Sequence, residues 1–210
     1  MTPHTTIVIA DDHVLVREGL KMLLSAEPDL QVVADTGDGA AVEALVRALA
    51  PTLLVLDLEL PSKSGIEIAA AIKADASLAC KVLVLTGNLK AETVARALAA
   101  GADGYVVKSE DAAELLSAVR TVLAGQIYVS KQIAGAFAAG RAAATQITPR
   151  EREVLSLVAR GYANHDIASL LGISVLTVRT HRQRLMEKLG LRNAAEITAC
   201  AVKLGLYDPT

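Results

Sequence analysis

The sequence predicts an α/β domain built on a doubly wound parallel sheet, followed by an all-α domain of four helices. Three observations point there. Short apolar runs alternate with helix-like stretches through residues 1–125. Most of those runs end in a polar or charged residue. The charge balance then reverses. Residues 1–125 carry 10 Lys/Arg against 17 Asp/Glu, and residues 126–210 carry 11 against 6, giving formal charges of −7 and +5. An acidic module joined to a basic one suggests a regulatory unit tethered to something that meets polyanions.

Ile7-Val8-Ile9-Ala10 forms the first strand and ends in Asp11-Asp12. Val14 to Leu24 forms a helix, with Leu15, Leu20, Leu23 and Leu24 near helical spacing. Val32-Val33-Ala34 is the second strand, and Ala40 to Leu49 a helix with Val42, Leu45, Val46 and Leu49 on one face. Leu53-Leu54-Val55-Leu56 ends in Asp57 and leads to a helix over Ile66 to Ile72. Val82-Leu83-Val84-Leu85 ends in Thr86 and leads to a helix over Val94 to Leu98. Tyr105-Val106-Val107 ends in Lys108 and leads to a helix over Ala112 to Leu123, apolar at Leu115, Leu116, Val119 and Val122. Strands this short and this apolar fit burial on both faces. Strand–helix alternation implies right-handed crossovers. The strand carboxyl ends then share one sheet edge, where ligands of such folds bind.

Residues 126–146 read as a linker. Gly135, Gly140 and the pairs and triplets of alanine specify little, apart from a short helix around Lys131 to Ala138. The second domain, residues 147–210, opens with Thr148-Pro149-Arg150-Glu151, a capping box with proline at the first helical position. Val154, Leu155 and Val158 give that helix an apolar face, and Gly161 ends it. Asn164 caps a second helix with Ile167, Ala168, Leu170 and Leu171 inward, and Gly172 makes the turn. Ser174 caps a third helix, Val175 to Leu189, with Val178, Leu185, Met186 and Leu189 inward. Asn193 begins a fourth, with Ile197, Ala201 and Leu204 along one side. Helix, glycine turn and basic helix make a helix-turn-helix pattern. The outer face of the third helix carries Arg179, Arg182, Arg184 and Lys188 with Glu187 as the one acid. A solvated face normally mixes both signs, so this face suits phosphates and bases.

Several classes are excluded. Trp is absent and Phe137 is the only Phe, which argues against single-strand readers that stack bases on aromatics. Cys80 and Cys200 show no metal-ligand spacing and fit a reducing cytoplasm. No signal peptide or membrane-length apolar run is visible, so the expected location is cytoplasmic, with no membrane partner.

The sheet edge carries the chemistry. Asp11, Asp12 and Asp57 would repel one another unless a cation offsets them. Clustered carboxylates suit Mg²⁺ or Mn²⁺. Such a cation can bridge to phosphoryl oxygens, and a carboxylate can itself accept the phosphoryl group. Thr86 could donate to a phosphoryl oxygen, and Lys108 could pair with another.

On these residues the first domain resembles the response-regulator receiver family. Asp11-Asp12 resembles its acidic pair, and Asp57-Leu58-Glu59-Leu60-Pro61 with Gly65 its phosphoacceptor motif. Thr86 matches its switch hydroxyl, Lys108 its lysine and Tyr105 its switch aromatic. The resemblance implies a flavodoxin-like strand order 2-1-3-4-5 and phosphorylation of Asp57. It further implies Mg²⁺ on Asp12, Asp57 and the Glu59 backbone carbonyl, with Asp11 acting partly through water. Gly87 stands where the family usually has Ala, and Glu59 puts an acid two residues past the acceptor. Thr148 to Leu206 resembles the LuxR/NarL output domain. The resemblance rests on the opening Thr148–Glu151 box, Gly161-Tyr162-Ala163-Asn164, Ile167-Ala168, Ser174, Thr177-Val178-Arg179, His181 and Lys188-Leu189-Gly190. It implies that Arg179, Thr180 and Gln183 face base edges and that Thr177, Arg182, Arg184 and Lys188 meet phosphates. The fourth helix would mediate dimerisation. Val175-Leu176 departs from the family's usual polar pair. The expected function is a two-component regulator, not an enzyme. Its expected partners are a sensor histidine kinase, promoter DNA, a second copy of itself and RNA polymerase.

Two alternatives compete. A haloacid-dehalogenase-like phosphatase needs a second Asp two residues after the nucleophile, where this chain has Glu59. An orphan regulator that only dimerises would not need the complete pocket.

Overall fold

The structure, a computed structural model, describes residues 5–139 and 147–208. Six strands form one parallel sheet in the order β2-β1-β3-β4-β5-β6. They are β1 (Thr5–Ala10), β2 (Leu30–Thr36), β3 (Leu53–Asp57), β4 (Lys81–Thr86), β5 (Gly104–Val107) and β6 (Tyr128–Val129). Between them lie α1 (Val14–Ser25), α2 (Gly39–Leu49), α3 (Gly65–Ala74), α4 (Ala91–Ala99) and α5 (Ala112–Leu123). Alternate strand residues serve opposite faces, as the period-2 pleat requires. Ile7, Ile9, Leu53, Val55, Leu83 and Leu85 pack with Leu20 and Leu24 of α1 and Leu115 and Val119 of α5. Val8, Leu54, Leu56, Val82 and Val84 pack on the other side with Val42, Ile68, Val94 and Leu98.

Sequence expectations about Leu15 and the strand order need correction. Leu15 does not face the core; it is 86% exposed, while Leu20 and Leu24 are buried. At 3.6 residues per turn, five residues separate two side chains by about 140° around the helix, too far for one stripe. The expected five-strand order is also extended. Within the segment expected as a linker, β6 pairs with β5, and α6 (Lys131–Ala139) packs on α4. Tyr128 and Ser130 donate backbone N–H groups to Asp103 and Tyr105 carbonyls at 3.1 and 3.0 Å. This pairing covers an edge that β5 would otherwise expose. Residues 140–146 of that segment, with Gly140 and the alanines around 142–144, lie outside the described residues.

The second domain contains α7 (Pro149–Ala159), α8 (Asn164–Leu171), α9 (Val175–Leu189) and α10 (Ala194–Lys203). Its caps follow the local sequence. Thr148 Oγ1 accepts from the Glu151 N–H at 3.2 Å, and Glu151 Oε2 accepts from the Thr148 N–H at 2.7 Å. Ser174 Oγ accepts from the Thr177 N–H at 3.0 Å. Gly172 and Gly190 end α8 and α9 at φ of 63° and 61°, a left-handed conformation that costs glycine no steric strain. Asn164 is not the cap of α8. Ala163 holds that position, with its N–H bonded to Asp166 Oδ2 at 3.3 Å, and the Asn164 side chain is used elsewhere.

α10 is buried nearly all round, at Ala195, Glu196, Ile197, Thr198, Ala199, Ala201 and Val202. It packs on α7 of its own domain and on α4, β6 and α6 of the first. Asn193 Nδ2 donates to the Leu98 carbonyl at 2.9 Å. One apolar core therefore runs from the sheet through α10 into the second domain.

Candidate functional site

β1 and β3 are sheet neighbours, so Asp11 and Asp57 emerge side by side at the carboxyl edge. Both are almost fully buried, at 1% and 2% exposure, whereas Asp12 faces solvent. Lys108 reaches in from the end of β5. Its Nζ lies 2.7 Å from Asp11 Oδ2 and 2.8 Å from Asp57 Oδ2. Burial works against its charge, but hydrogen bonds to Asp11 and Asp57 outweigh that and hold its pKa above the usual lysine value. The other Asp57 oxygen, Oδ1, accepts from the Glu59 N–H at 3.2 Å. Gly65 lets α3 start against the main chain at Asp57 and Leu58. A Cβ there would lie 2.0 Å from the Asp57 carbonyl oxygen, so only glycine fits.

The predicted switch residues lie beside the pocket but turn away from it. Thr86 is buried; its Oγ1 accepts from the Asn88 N–H at 3.0 Å and donates to the Asn88 carbonyl at 3.4 Å. Asn88 Nδ2 in turn donates to Glu59 Oε1 at 3.0 Å, tying the β4–α4 loop to the β3–α3 loop. Tyr105 is buried toward α4, and its hydroxyl donates to the Ala97 carbonyl at 3.0 Å. That burial pushes the phenol pKa far up, so Tyr105 remains a hydrogen-bond donor.

Asp11, Asp12, Asp57 and His13 each bring a donor atom within 4.8 Å of the others. Two buried carboxylates share one ammonium, and Asp12 adds a third negative charge at the rim, so the pocket keeps a negative surplus. Oxygen donors with surplus negative charge fit a divalent cation such as Mg²⁺ or Mn²⁺. Asp11, Asp12 and Asp57 would hold it. His13 directly follows the acidic pair. It is exposed, yet its Nδ1 lies 2.6 Å from Asp12 Oδ1 and its N–H donates to Asp11 Oδ1 at 2.9 Å. Its adjacency to the acidic pair was the available signal. Asn88 carried none, because its role depends on two loops meeting.

On α9, Arg179, Thr180, Gln183 and Arg184 are exposed, as expected. Thr177 is exposed too, with its hydroxyl 2.8 Å from Ser174 Oγ. Two expected phosphate contacts are engaged within the protein. Arg182 is half-buried and donates to Asn164 Oδ1 at 2.6 Å; burial lowers its pKa. Lys188 Nζ pairs with Glu151 Oε2 at 3.0 Å. A cleft of about 700 Å³ runs along this face, lined by Asn164, Arg179, Arg182, Gln183, Met186 and Arg192 among others. Arg192 was missed, because it follows the helix and belongs to no periodic face.

A doubly wound sheet with this acidic pocket and lysine, coupled to a basic helix-turn-helix, defines a receiver domain with a DNA-binding output domain. Residues 7–120 match the family "Response regulator receiver domain", and residues 145–201 match "Bacterial regulatory proteins, luxR family". The chain belongs to the response regulators, with a LuxR-type output domain, and is a two-component transcription regulator. It is 36% identical to the oxygen regulatory protein NreC of Staphylococcus aureus, over 96% of this chain and 99% of that protein. Solved structures similar to it include the response regulator ChrA of a heme-sensing two-component system (28% identity, 97% and 99% coverage, TM-score 0.55). Salmonella typhimurium RcsB is another (26% identity, 94% and 97% coverage, TM-score 0.61). An RcsB–DNA complex also matches (25% identity, 95% and 98% coverage, TM-score 0.60). Among the described residues no helix is long and apolar enough to cross a membrane.

Proposed function

We propose that a sensor histidine kinase phosphorylates this protein on Asp57 and that the phosphorylated form binds promoter DNA as a dimer. The observation that carries this is the buried Asp57 carboxylate, held between Lys108 and the Glu59 N–H beside two further acids. An Asp57 oxygen attacks the phosphorus of the donor phosphohistidine. The new P–O bond forms as the P–N bond breaks, and the departing imidazole takes up a proton. Bound Mg²⁺ or Mn²⁺ would neutralise charge on the transferring group, with Asp11, Asp12, Asp57 and the Glu59 carbonyl as its protein ligands. Lys108 pairs with one phosphoryl oxygen, and the Thr86 hydroxyl leaves Asn88 to donate to another. Tyr105 moves with Thr86, because the ring fills the space that the hydroxyl vacates.

The packing of α10 connects this switch to DNA. Tyr105 and α4 belong to the same buried cluster as α10, a helix with a face that the LuxR-type resemblance would give to dimerisation. With α10 held on the first domain, that face is covered. Phosphorylation shifts the population toward a state in which α10 is released, so a dimer can seat two recognition helices. Arg179, Thr180 and Gln183 then face bases, and Thr177, Arg184, Arg182 and Lys188 face phosphates. Arg182 and Lys188 must first leave Asn164 and Glu151. The RcsB–DNA complex supports DNA binding by this architecture. The proposed setting is the cytoplasm, where RNA polymerase would be the further partner. The domains would be residues 1–125 and 147–210, with β6 and α6 of the segment between them packed on the first.

The test is Mg²⁺-dependent labelling by phosphoramidate, mapped by mass spectrometry. Label should appear on Asp57 and vanish in Asp57→Asn. Undiminished labelling of that variant would place the acceptor elsewhere.

A further inference from the structure

The two residues that depart from the family's polar pair separate in the structure. Val175 packs against the small core formed by Ile167, Ala168 and Val178. Leu176 is 73% exposed at the first turn of α9. At helical spacing it shares a face with Arg179, Thr180 and Gln183, three, four and seven residues further on. A large apolar side chain thus stands in a cationic surface. Thr180 extends the apolar character, because its hydroxyl donates to the Leu176 carbonyl at 3.0 Å and has no proton left for a base.

We infer that Leu176 is a specificity-determining residue that packs on the C5-methyl group of a thymine in the major groove. This rests on the proposal that α9 reads DNA. The charge around Leu176 selects the occupant: Arg179 and Arg184 draw a polyanion onto this face, and the helix N-terminus adds partial positive charge. On a major-groove surface the one apolar group a base pair presents is the thymine methyl. Leucine, unlike the polar residues usual at this position, has no hydrogen bond to lose there. It would favour T·A over C·G at one position in each half-site.

The experiment uses the full-length protein treated with phosphoramidate. A duplex is selected from a randomised library, and each thymine is then replaced singly by deoxyuridine, which lacks only the methyl. Burying one methyl is worth about a fourfold change in affinity. Wild type should lose about that factor at one thymine per half-site. Leu176→Ala should bind the thymine duplex more weakly and show no further loss on the uracil duplex. Leu176→Met should keep the thymine preference. The variants' folding is checked by thermal unfolding, which an exposed position should leave unchanged. The inference is overturned if wild type ignores every replacement, or if Leu176→Ala keeps the thymine–uracil difference. It is equally overturned if Leu176→Ala binds DNA normally but fails to activate transcription, which would assign the side chain to a protein partner. Failure of the library to yield any preferred duplex would instead remove the DNA-reading proposal itself.

Discussion

Replacing Lys108 with methionine should expose the repulsion that the pocket stores. The ammonium lies 2.7 Å from Asp11 and 2.8 Å from Asp57, carboxylates that are 1% and 2% exposed. Methionine keeps the apolar stem and removes the charge. Breaking a buried pair costs about 3–5 kcal/mol, because the remaining charge is left uncompensated. Lys108 itself is 18% exposed, so water offsets part of the loss, and about 3 kcal/mol is expected. The effect should be complete at neutral pH. The folded pKa of Lys108 is raised above its usual 10.5, so its contribution is full below that value and fades only as pH rises through the folded value. Urea unfolding of both proteins, without metal and in excess Mg²⁺, measures it. A cation at a hundred times its Kd stabilises by about 2.7 kcal/mol. Mg²⁺ should stabilise the variant more than wild type, because ammonium and metal neutralise the same carboxylates. A variant within about 0.5 kcal/mol of wild type without metal would refute the electrostatic account. So would equal Mg²⁺ stabilisation of the two proteins.

Four further variants have defined expected outcomes. Asn193→Asp keeps an acceptor for the Glu196 N–H that starts α10 but cannot donate to Leu98, so it separates capping from docking. Losing that donor should weaken the interdomain contact by about 1–2 kcal/mol, seen as greater dimerisation without phosphate in sedimentation. Thr86→Ala should still take label on Asp57 but gain little DNA affinity; normal activation would route the coupling through other residues. Arg179→Ala should cost about 1–3 kcal/mol on specific duplexes and little on scrambled ones. Arg184→Ala should weaken both alike and lower the salt slope by about one unit, read from titrations at several salt concentrations.

Much of the receiver was legible in the sequence because its signals are local. Asp57 follows a buried strand, Lys108 ends another, and Gly65 sits where only a missing Cβ allows α3 to approach. The caps at Thr148 and Ser174 depend on residues three positions away, well within local reach. The basic face of α9 was legible from its run of arginines. Less legible were roles set by contacts distant in sequence. Nothing local tells Arg182 that Asn164 will hold it, or Lys188 that Glu151 will. β6 is two residues long, too short for a period-2 pattern.

The sequence by itself determined the parallel sheet, the acidic pocket at its carboxyl edge and the basic helix, since each follows from periodicity or from residues at strand ends. Only the tertiary structure decided what α10 touches. A helix apolar on nearly every side needs burial all round, and its sequence does not say by what. Its own domain supplies α7, and the receiver supplies α4, β6 and α6. The free energy of that burial comes from apolar area without regard to partner, so the choice rests on shape and proximity in three dimensions. The same choice covers the face of α10 proposed for dimerisation, with Tyr105 in the buried cluster beneath it.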